Sequence, residues 1–79
     1  MNPDLSPLIL DLARKLVDRP EEVRVQVKDG DIVLYELSVA PEDQGRIIGR
    51  EGRTIRSLRA VVSTAARKQG FRATLEVLE

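Results

Sequence analysis

Two glycines, Gly49 and Gly52, interrupt a stretch that otherwise has the composition and spacing of helices. Pro41 suits the first turn of a short helix, and apolar residues at helical spacing follow Gly52 until Gly70. Glycine adopts backbone angles that other residues reach only at a cost, so the pair predicts a tight corner between two helices. The fold must therefore accommodate a short helix that begins near Pro41 and a long helix that ends near Gln69.

Segments of alternating polarity predict a sheet beside these helices. "EVRVQVK" (22–28) and "IVLYELSV" (32–39) flank an Asp-Gly-Asp turn, a pattern typical of an antiparallel hairpin. A third alternating segment, "FRATLEVLE" (71–79), follows the long helix. The residues expected on the core side of these strands are Val23, Val25, Val27, Val33, Tyr35, Leu37, Val39, Phe71, Ala73, Leu75 and Val77.

The segment "SPLILDLARKLV" predicts a first helix at the N-terminus, with an apolar stripe at helical spacing. Ser6 is the expected cap, Pro7 fits the first turn, and Pro20 ends the helix. The order is then helix, strand, strand, helix, helix, strand. A chain of 79 residues has room for one small domain, so residues 1–79 are expected to form a single α+β domain.

The formal charge of zero hides an uneven distribution along the chain. Residues 1–39 hold eight acids and five bases, a net charge of −3, whereas residues 40–79 hold five acids and eight bases, a net charge of +3. Between residues 46 and 59 there are five arginines and one glutamate, a net charge of +4. Such a concentration of arginine indicates an anionic partner, with phosphate as the first candidate.

The composition argues against catalysis and against a resident metal or cofactor. The chain has no histidine and no cysteine, which removes the usual general base and the commonest metal ligands. Its adjacent carboxylates, Glu21-Glu22 and Glu42-Asp43, are interpreted as solubilising or helix-start charges. No apolar run approaches the ~18 residues of a membrane span, and the N-terminus does not resemble a signal peptide. The sequence therefore predicts a non-catalytic, cytoplasmic protein without a membrane segment.

The arginines around the glycine pair suggest how a phosphate could bind. At about 100° per residue, Arg53, Arg56 and Arg59 share one face of the long helix and could extend a ridge from Arg50. The exposed N–H groups at the start of that helix would also favour an anion. The alternative is structural: the glycines would be a plain connector and the arginines a solvated helix face.

"GRIIGREGRTIRSLR" resembles the signature of the KH domain, I-G-x-x-G-x-x-I, which joins two helices and clamps a nucleic-acid backbone. "RPEEVRVQV" and "VAPEDQGRIIGREGRTI" are similar to small stand-alone bacterial KH proteins of the KhpA family. The resemblance implies a type II KH fold, αββααβ, in which a three-stranded sheet carries three helices on one face. It also implies binding of single-stranded RNA, as an RNA chaperone or post-transcriptional regulator. The residues expected to contact RNA are Arg46, Ile48, Gly49, Arg50, Glu51, Gly52, Arg53, Ile55 and Arg56.

Self-association is the second expectation, because the resemblance implies a homodimer or pairing with a larger KH-containing protein. The apolar arc of the long helix spans about 140°, and Val61 lies at its edge. A helix on one sheet face buries an arc of about 100° or more, so Val61 is a candidate for a symmetric dimer interface. The alternative is that Val61 packs under the first helix. A protein-interaction module with little affinity for RNA also remains open.

Overall fold

The computed structural model of the protein describes residues 4–79, so the first three residues of the predicted domain lie outside the described residues. Within that range the elements follow the predicted order αββααβ. They are α1 (Ser6–Leu16), β1 (Arg24–Lys28), β2 (Val33–Ser38), α2 (Gln44–Ile48), α3 (Arg53–Lys68) and β3 (Ala73–Val77), with short 3-10 turns at Pro20–Glu22, Pro41–Asp43 and Arg50–Gly52. No helix within residues 4–79 is both long and apolar enough to cross a lipid bilayer.

The sheet is mixed, with β2 in its centre. Strand β1 runs antiparallel to β2, and strand β3 runs parallel to it. Tyr35 of β2 lies opposite Val27 of β1 and Leu75 of β3. Parallel neighbours need a crossover connection, and α2 and α3 together supply it. The corner between these two helices therefore lies within the crossover from β2 to β3.

The core lies on one face of this sheet, where all three helices pack. Alternate residues of β2 are buried, while Leu34, Glu36 and Ser38 between them are half-buried on the other face. This arrangement confirms the predicted type II architecture. The residues that form the core cluster include Ile9 and Ala13 of α1, Val33, Tyr35 and Leu37 of β2, Ile55, Leu58, Val62 and Ala66 of α3, and Ala73 and Leu75 of β3.

Strand β1 is less buried than its alternation predicted. Val23 is buried and Val25 is half-buried, but Val27 is 42% exposed. β1 is an edge strand, and α1 is the helix that packs against it. The part of β1 that leads into the hairpin turn therefore extends beyond this cover. The alternation of polar and apolar residues predicts which face of the sheet a side chain points to. Whether that side chain is buried depends on how far α1 extends along β1.

The beginning and end of α1 differ from the prediction. Ser6 is the first helical residue rather than the cap, and the Asp4 carboxylate accepts its N–H at 2.9 Å and its hydroxyl at 2.8 Å. The helix ends at Leu16, well before Pro20, and Val17 is already extended. The proline starts a 3-10 turn instead of ending the helix.

Asp43 was predicted to be a helix-start charge, but its side chain is buried, with 1% of the residue exposed. Its two carboxylate oxygens accept the backbone N–H groups of Asp18 and Arg19, at 3.1 and 3.0 Å. Asp43 lies in the 3-10 turn that precedes α2, so the short helix starts three residues later than Pro41. The buried carboxylate joins the segment after α1 to the start of α2.

Tyr35, the only tyrosine of the chain, should report the integrity of this core by its titration. Burial raises the pKa of its phenol above the ordinary value near 10, and the carboxylates of Asp4 and Asp29 raise it further. The N–H of Leu5, which donates to the phenolic oxygen at 3.1 Å, opposes the shift but does not cancel it. We expect tyrosinate absorbance to appear at higher pH in the folded chain than in denaturant.

Because the pKa of Tyr35 is raised in the folded chain, the free energy of unfolding should fall at high pH. Ionisation favours the unfolded chain, so the contribution of Tyr35 is fully present below about pH 10 and is lost as the pH rises further. Chemical denaturation at several pH values between 8 and 11 would measure this loss, with Tyr35→Phe as the control that lacks the titration. Coincident titration of folded and denatured chains would contradict the prediction.

Candidate nucleic-acid interface

Three of the four residues at the corner between α2 and α3, Gly49, Glu51 and Gly52, have a positive φ. Gly49 has φ 76° and ψ 173°, and Gly52 has φ 74° and ψ 17°. The N–H of Gly49 donates to the carbonyl of Gly45 at 2.8 Å, and the N–H of Gly52 donates to the carbonyl of Gly49 at 3.1 Å. The chain thus ends one helix and starts the next within four residues.

The two glycines are required for different reasons. A Cβ on Gly49 would lie 2.8 Å from the Cβ of Thr54 and 2.9 Å from its backbone nitrogen, closer than real Cβ atoms approach. At Gly52 the nearest atom, a guanidinium nitrogen of Arg56, would lie 3.5 Å away, so only the positive φ demands glycine there. Gly49 therefore allows the loop to lie directly against the first turn of α3. Nothing in the spacing of the sequence indicated Thr54 as the residue it meets.

Glu51, inside the loop, has φ 56° and ψ 25°, the left-handed conformation that most residues avoid. This conformation costs roughly 1–2 kcal/mol for a residue with a Cβ. The carbonyl of Glu51 accepts a hydrogen bond from Arg56 Nη1 at 2.9 Å. Arg56 thus stabilises the strained loop against α3. The sequence predicts a place for Arg56 on the arginine ridge but not this bond to the loop.

The first turn of α3 is open to an anion. Its N-cap is Gly52, and no side chain caps the helix. A helix of 16 residues places partial positive charge on its first N–H groups. Arg50 and Arg53 are both exposed, and within residues 4–79 neither forms an ion pair or a side-chain hydrogen bond. Two available guanidinium groups thus lie beside an uncapped helix start.

The predicted ridge of four arginines is wrong at its last member. Nε of Arg59 donates to the carbonyl of Leu75 at 2.7 Å, so Arg59 turns toward β3. The carbonyl of Arg72 and the N–H of Leu78 bond to β2, so the backbone groups of the even-numbered residues face β2. Backbone groups of successive residues point to opposite edges of a strand, so those of the odd-numbered residues, including Leu75, face the outer edge of the sheet. Arg59 therefore satisfies a carbonyl on a free sheet edge.

Arg46 is also engaged within the protein. Its guanidinium lies 3.0 Å from a carboxylate oxygen of Asp18 and 3.6 Å from one of Asp43. The pair with Asp18 joins α2 to the segment after α1, whereas the pair with Asp43 is local, three residues apart in the chain. A phosphate near the corner would compete with two carboxylates for Arg46, whereas Arg50 and Arg53 have no carboxylate partner among residues 4–79.

The apolar residues of the predicted site separate into two groups. Ile55 is 7% exposed and belongs to the core, together with the fully buried Ile47. Ile48 is half-buried and packs against the core from its edge, so it offers apolar surface beside the corner. Val61 is 44% exposed, which rules out the alternative that it packs under the first helix.

The chain is similar in sequence to a family of KH domains and to proteins named for RNA binding. Residues 6–77 match the family model described as "KhpA/KhpB, KH domain". The chain is 46% identical to the RNA-binding protein KhpA of Chlamydia pneumoniae, over 86% of this chain and 88% of that protein. It is 43% identical to the RNA-binding protein KhpA of Halalkalibacterium halodurans, over 95% of this chain and 100% of that protein. No solved structure matches the chain.

Alanine at the three glycines of this region should separate their roles. Gly49→Ala should destabilise the fold most, by about 3 kcal/mol or more, because a special backbone conformation and a clash with Thr54 act together. Gly52→Ala should cost about 1–2 kcal/mol through its positive φ alone. Urea denaturation of the three variants would measure the differences.

Gly45→Ala is the matched control for this series. Gly45 lies within α2, and a Cβ there meets no atom within 4 Å. Alanine is favoured over glycine in a helix, so the control should be stabilised by about 0.5–1 kcal/mol. Equal losses at Gly49 and Gly52 would contradict the close approach to Thr54.

Proposed function

Because the chain belongs to the KhpA/KhpB family of KH domains, we propose that it binds single-stranded RNA at the corner between α2 and α3, without catalysis. The observation that carries the proposal is that Arg50 and Arg53 lie beside the start of α3, where within residues 4–79 neither guanidinium has an ion-pair partner and no side chain caps the helix. The relatives compared are named RNA-binding proteins, which supports the same ligand. We assign the whole of residues 1–79 to one KH domain that acts on RNA in the cytoplasm, as a chaperone or regulator.

The loop offers the sugar-phosphate backbone a close approach. The nearest atom to a Cβ placed on Gly52 is a guanidinium nitrogen of Arg56 at 3.5 Å, so this glycine leaves the loop surface uncovered beside the start of α3. A phosphate over the loop could accept hydrogen bonds from the first N–H groups of α3, as anions do at helix starts. The guanidinium groups of Arg50 and Arg53 add charge and paired N–H donors. These contacts depend on the phosphate and not on the base, so weak sequence preference is expected.

Arg46 and Arg56 would affect RNA binding by holding the loop in its conformation. Arg56 binds the carbonyl of Glu51, and Arg46 binds Asp18 and Asp43. Removing either would loosen the corner as well as remove a charge. Ile48 is the apolar residue next to the loop on which a base could rest, while Ile55 supports the corner from inside the core.

The double substitution Arg50→Asp with Glu51→Asp tests the corner directly. We expect it to abolish RNA binding, because it replaces a free cation with a carboxylate beside the proposed phosphate. The fold should survive within about 0.5 kcal/mol, since both side chains are exposed and aspartate tolerates the left-handed conformation better than glutamate. Fluorescence anisotropy with a labelled RNA would measure binding, and circular dichroism would verify the fold.

The matched control is Arg14→Asp with Glu22→Asp, which makes the same change in charge at exposed residues near α1. RNA affinity should persist in the control. For the wild-type chain the logarithm of affinity should fall with the logarithm of salt concentration by about 0.7 for each phosphate contacted. A slope near zero, or a double variant that binds as tightly as the control, would refute the proposal.

A symmetric homodimer is the second proposed property, and pairing with a larger KH-containing protein would use the same surface. Val61 lies in a surface patch on α3, on the side away from the sheet. The patch consists of Ala60, Val61, Thr64, Ala65 and Lys68. It is mostly apolar, it carries one charge, and it lies apart from the corner. Joining two copies would raise avidity for long RNA through effective concentration.

Val61→Glu should yield a folded monomer with weaker avidity for long RNA. Burial of the exposed part of two Val61 side chains contributes about 1.5 kcal/mol, roughly tenfold in the dissociation constant of a dimer. Sedimentation velocity would report the oligomeric state. Leu16→Glu is the matched control, because Leu16 is a helical apolar residue of similar exposure, 41% against 44%. A Val61 variant that sediments as a dimer would exclude this surface.

A further inference from the structure

A second cluster of arginine side chains lies at the other end of α3. Arg67, in the last turn of the helix, and Arg72, just before β3, line a cleft of about 250 Å³. The cleft is also lined by Ile32, Ser63, Ala73 and Thr74. No carboxylate from the described part of the chain, residues 4–79, lines it. The cleft therefore brings together residues that carry two guanidinium groups and two hydroxyl groups.

Both arginines are available to a ligand. Each is exposed, and within residues 4–79 neither forms an ion pair with a carboxylate or a side-chain hydrogen bond. A helix C-terminus favours a base in its last turn, which explains Arg67 by itself. It does not explain why Arg72, outside the helix, lines the same cleft. Ser63 of α3 and Thr74 of β3 are half-buried and line the cleft from its two walls.

The cleft lies on the same side of α3 as the corner. At about 100° per residue, Arg53, Ser63 and Arg67 fall within about 80° of one another around the helix. The rise from Arg53 to Arg67 is about 21 Å at 1.5 Å per residue. A strand with a stacked spacing of ~3.4 Å per nucleotide covers that length with roughly six nucleotides. A KH loop clamps about four nucleotides, so a longer strand would pass from the corner to the cleft.

We propose that the cleft between Arg67 and Arg72 binds a phosphodiester of the same RNA strand, beyond the nucleotides held at the corner. The proposal rests on RNA binding at the corner. Two guanidinium forks suit the oxygens of one phosphate, and the hydroxyl groups of Ser63 and Thr74 complete its hydrogen bonding. The protein then contacts RNA over the full length of α3, and its affinity depends on the length of the strand.

The test compares oligouridines of 4 and 12 nucleotides by fluorescence anisotropy. In Arg67→Gln with Arg72→Gln, affinity for the 12-mer should fall about tenfold, and its salt slope should fall by about 0.7, the value for one phosphate contact. Affinity for the 4-mer should be unchanged. The control Arg14→Gln with Lys15→Gln removes the same charge from exposed positions on α1 and should bind both oligomers like the wild type.

Each other outcome overturns the proposal in a recognisable way. A cleft variant that binds the 12-mer like the control would show that the cleft takes no phosphate, while RNA binding at the corner would stand. An equal loss for both oligomers would indicate a general effect of charge. If the wild-type chain bound neither oligomer, both the proposed RNA binding at the corner and the proposed phosphate site in the cleft would be refuted.

A second measurement uses the wild-type chain and does not depend on the stability of the variant. Backbone amide resonances of Ser63 and Thr74 should shift in nuclear magnetic resonance spectra on addition of the 12-mer. The 4-mer should shift resonances of the loop, Gly49 to Gly52, and leave those of the cleft in place. Resonances at the cleft that respond equally to both oligomers would contradict a length-dependent second contact.

Discussion

The buried carboxylate of Asp43 is the interaction on which the placement of the corner depends. It accepts the N–H groups of Asp18 and Arg19 and lies 3.6 Å from the guanidinium of Arg46. Each of these hydrogen bonds has a charged acceptor, a type that contributes about 1.5–3 kcal/mol at most where water can replace the partner. The carboxylate joins the segment after α1 to the turn before α2. The corner, one helix further along, is oriented by that attachment.

The corner then concentrates strain and charge in the same four residues. Gly49 lies against Thr54, and Glu51 has a left-handed conformation that roughly 1–2 kcal/mol of other interactions must offset. The hydrogen bond from Arg56 to the carbonyl of Glu51 is one such interaction. A rigid loop loses little conformational freedom when a ligand binds, which favours affinity. The arginines of this region therefore differ in their contacts: Arg56 binds the loop, whereas Arg50 and Arg53 form no ion pair or side-chain hydrogen bond within residues 4–79.

The sequence predicted those features whose causes are local. Alternation identified Val33, Tyr35 and Leu37 as core residues, and the glycine pair predicted both the corner and the family. The structure departs from the prediction where a side chain has a distant backbone partner. Asp43 binds N–H groups 24 and 25 residues away, and Arg59 binds a carbonyl 16 residues away. Neither periodicity nor spacing encodes such a partner, because it depends on how the finished elements pack.

The distribution of ion pairs explains how a chain of zero net charge can present a cationic side. In the first half, Lys15, Arg19 and Lys28 each pair with a carboxylate. In the second half Arg46 does so too, but the bases of α3 and of the turn after it have no carboxylate within 4 Å among residues 4–79. Arg14 and Arg24 also form no ion pair within residues 4–79, but acids outnumber bases by eight to five in residues 1–39, whereas α3 contains no acid. The electrostatic field beside α3 depends on that separation rather than on total charge, so substitutions that preserve net charge can still change the attraction of an anion.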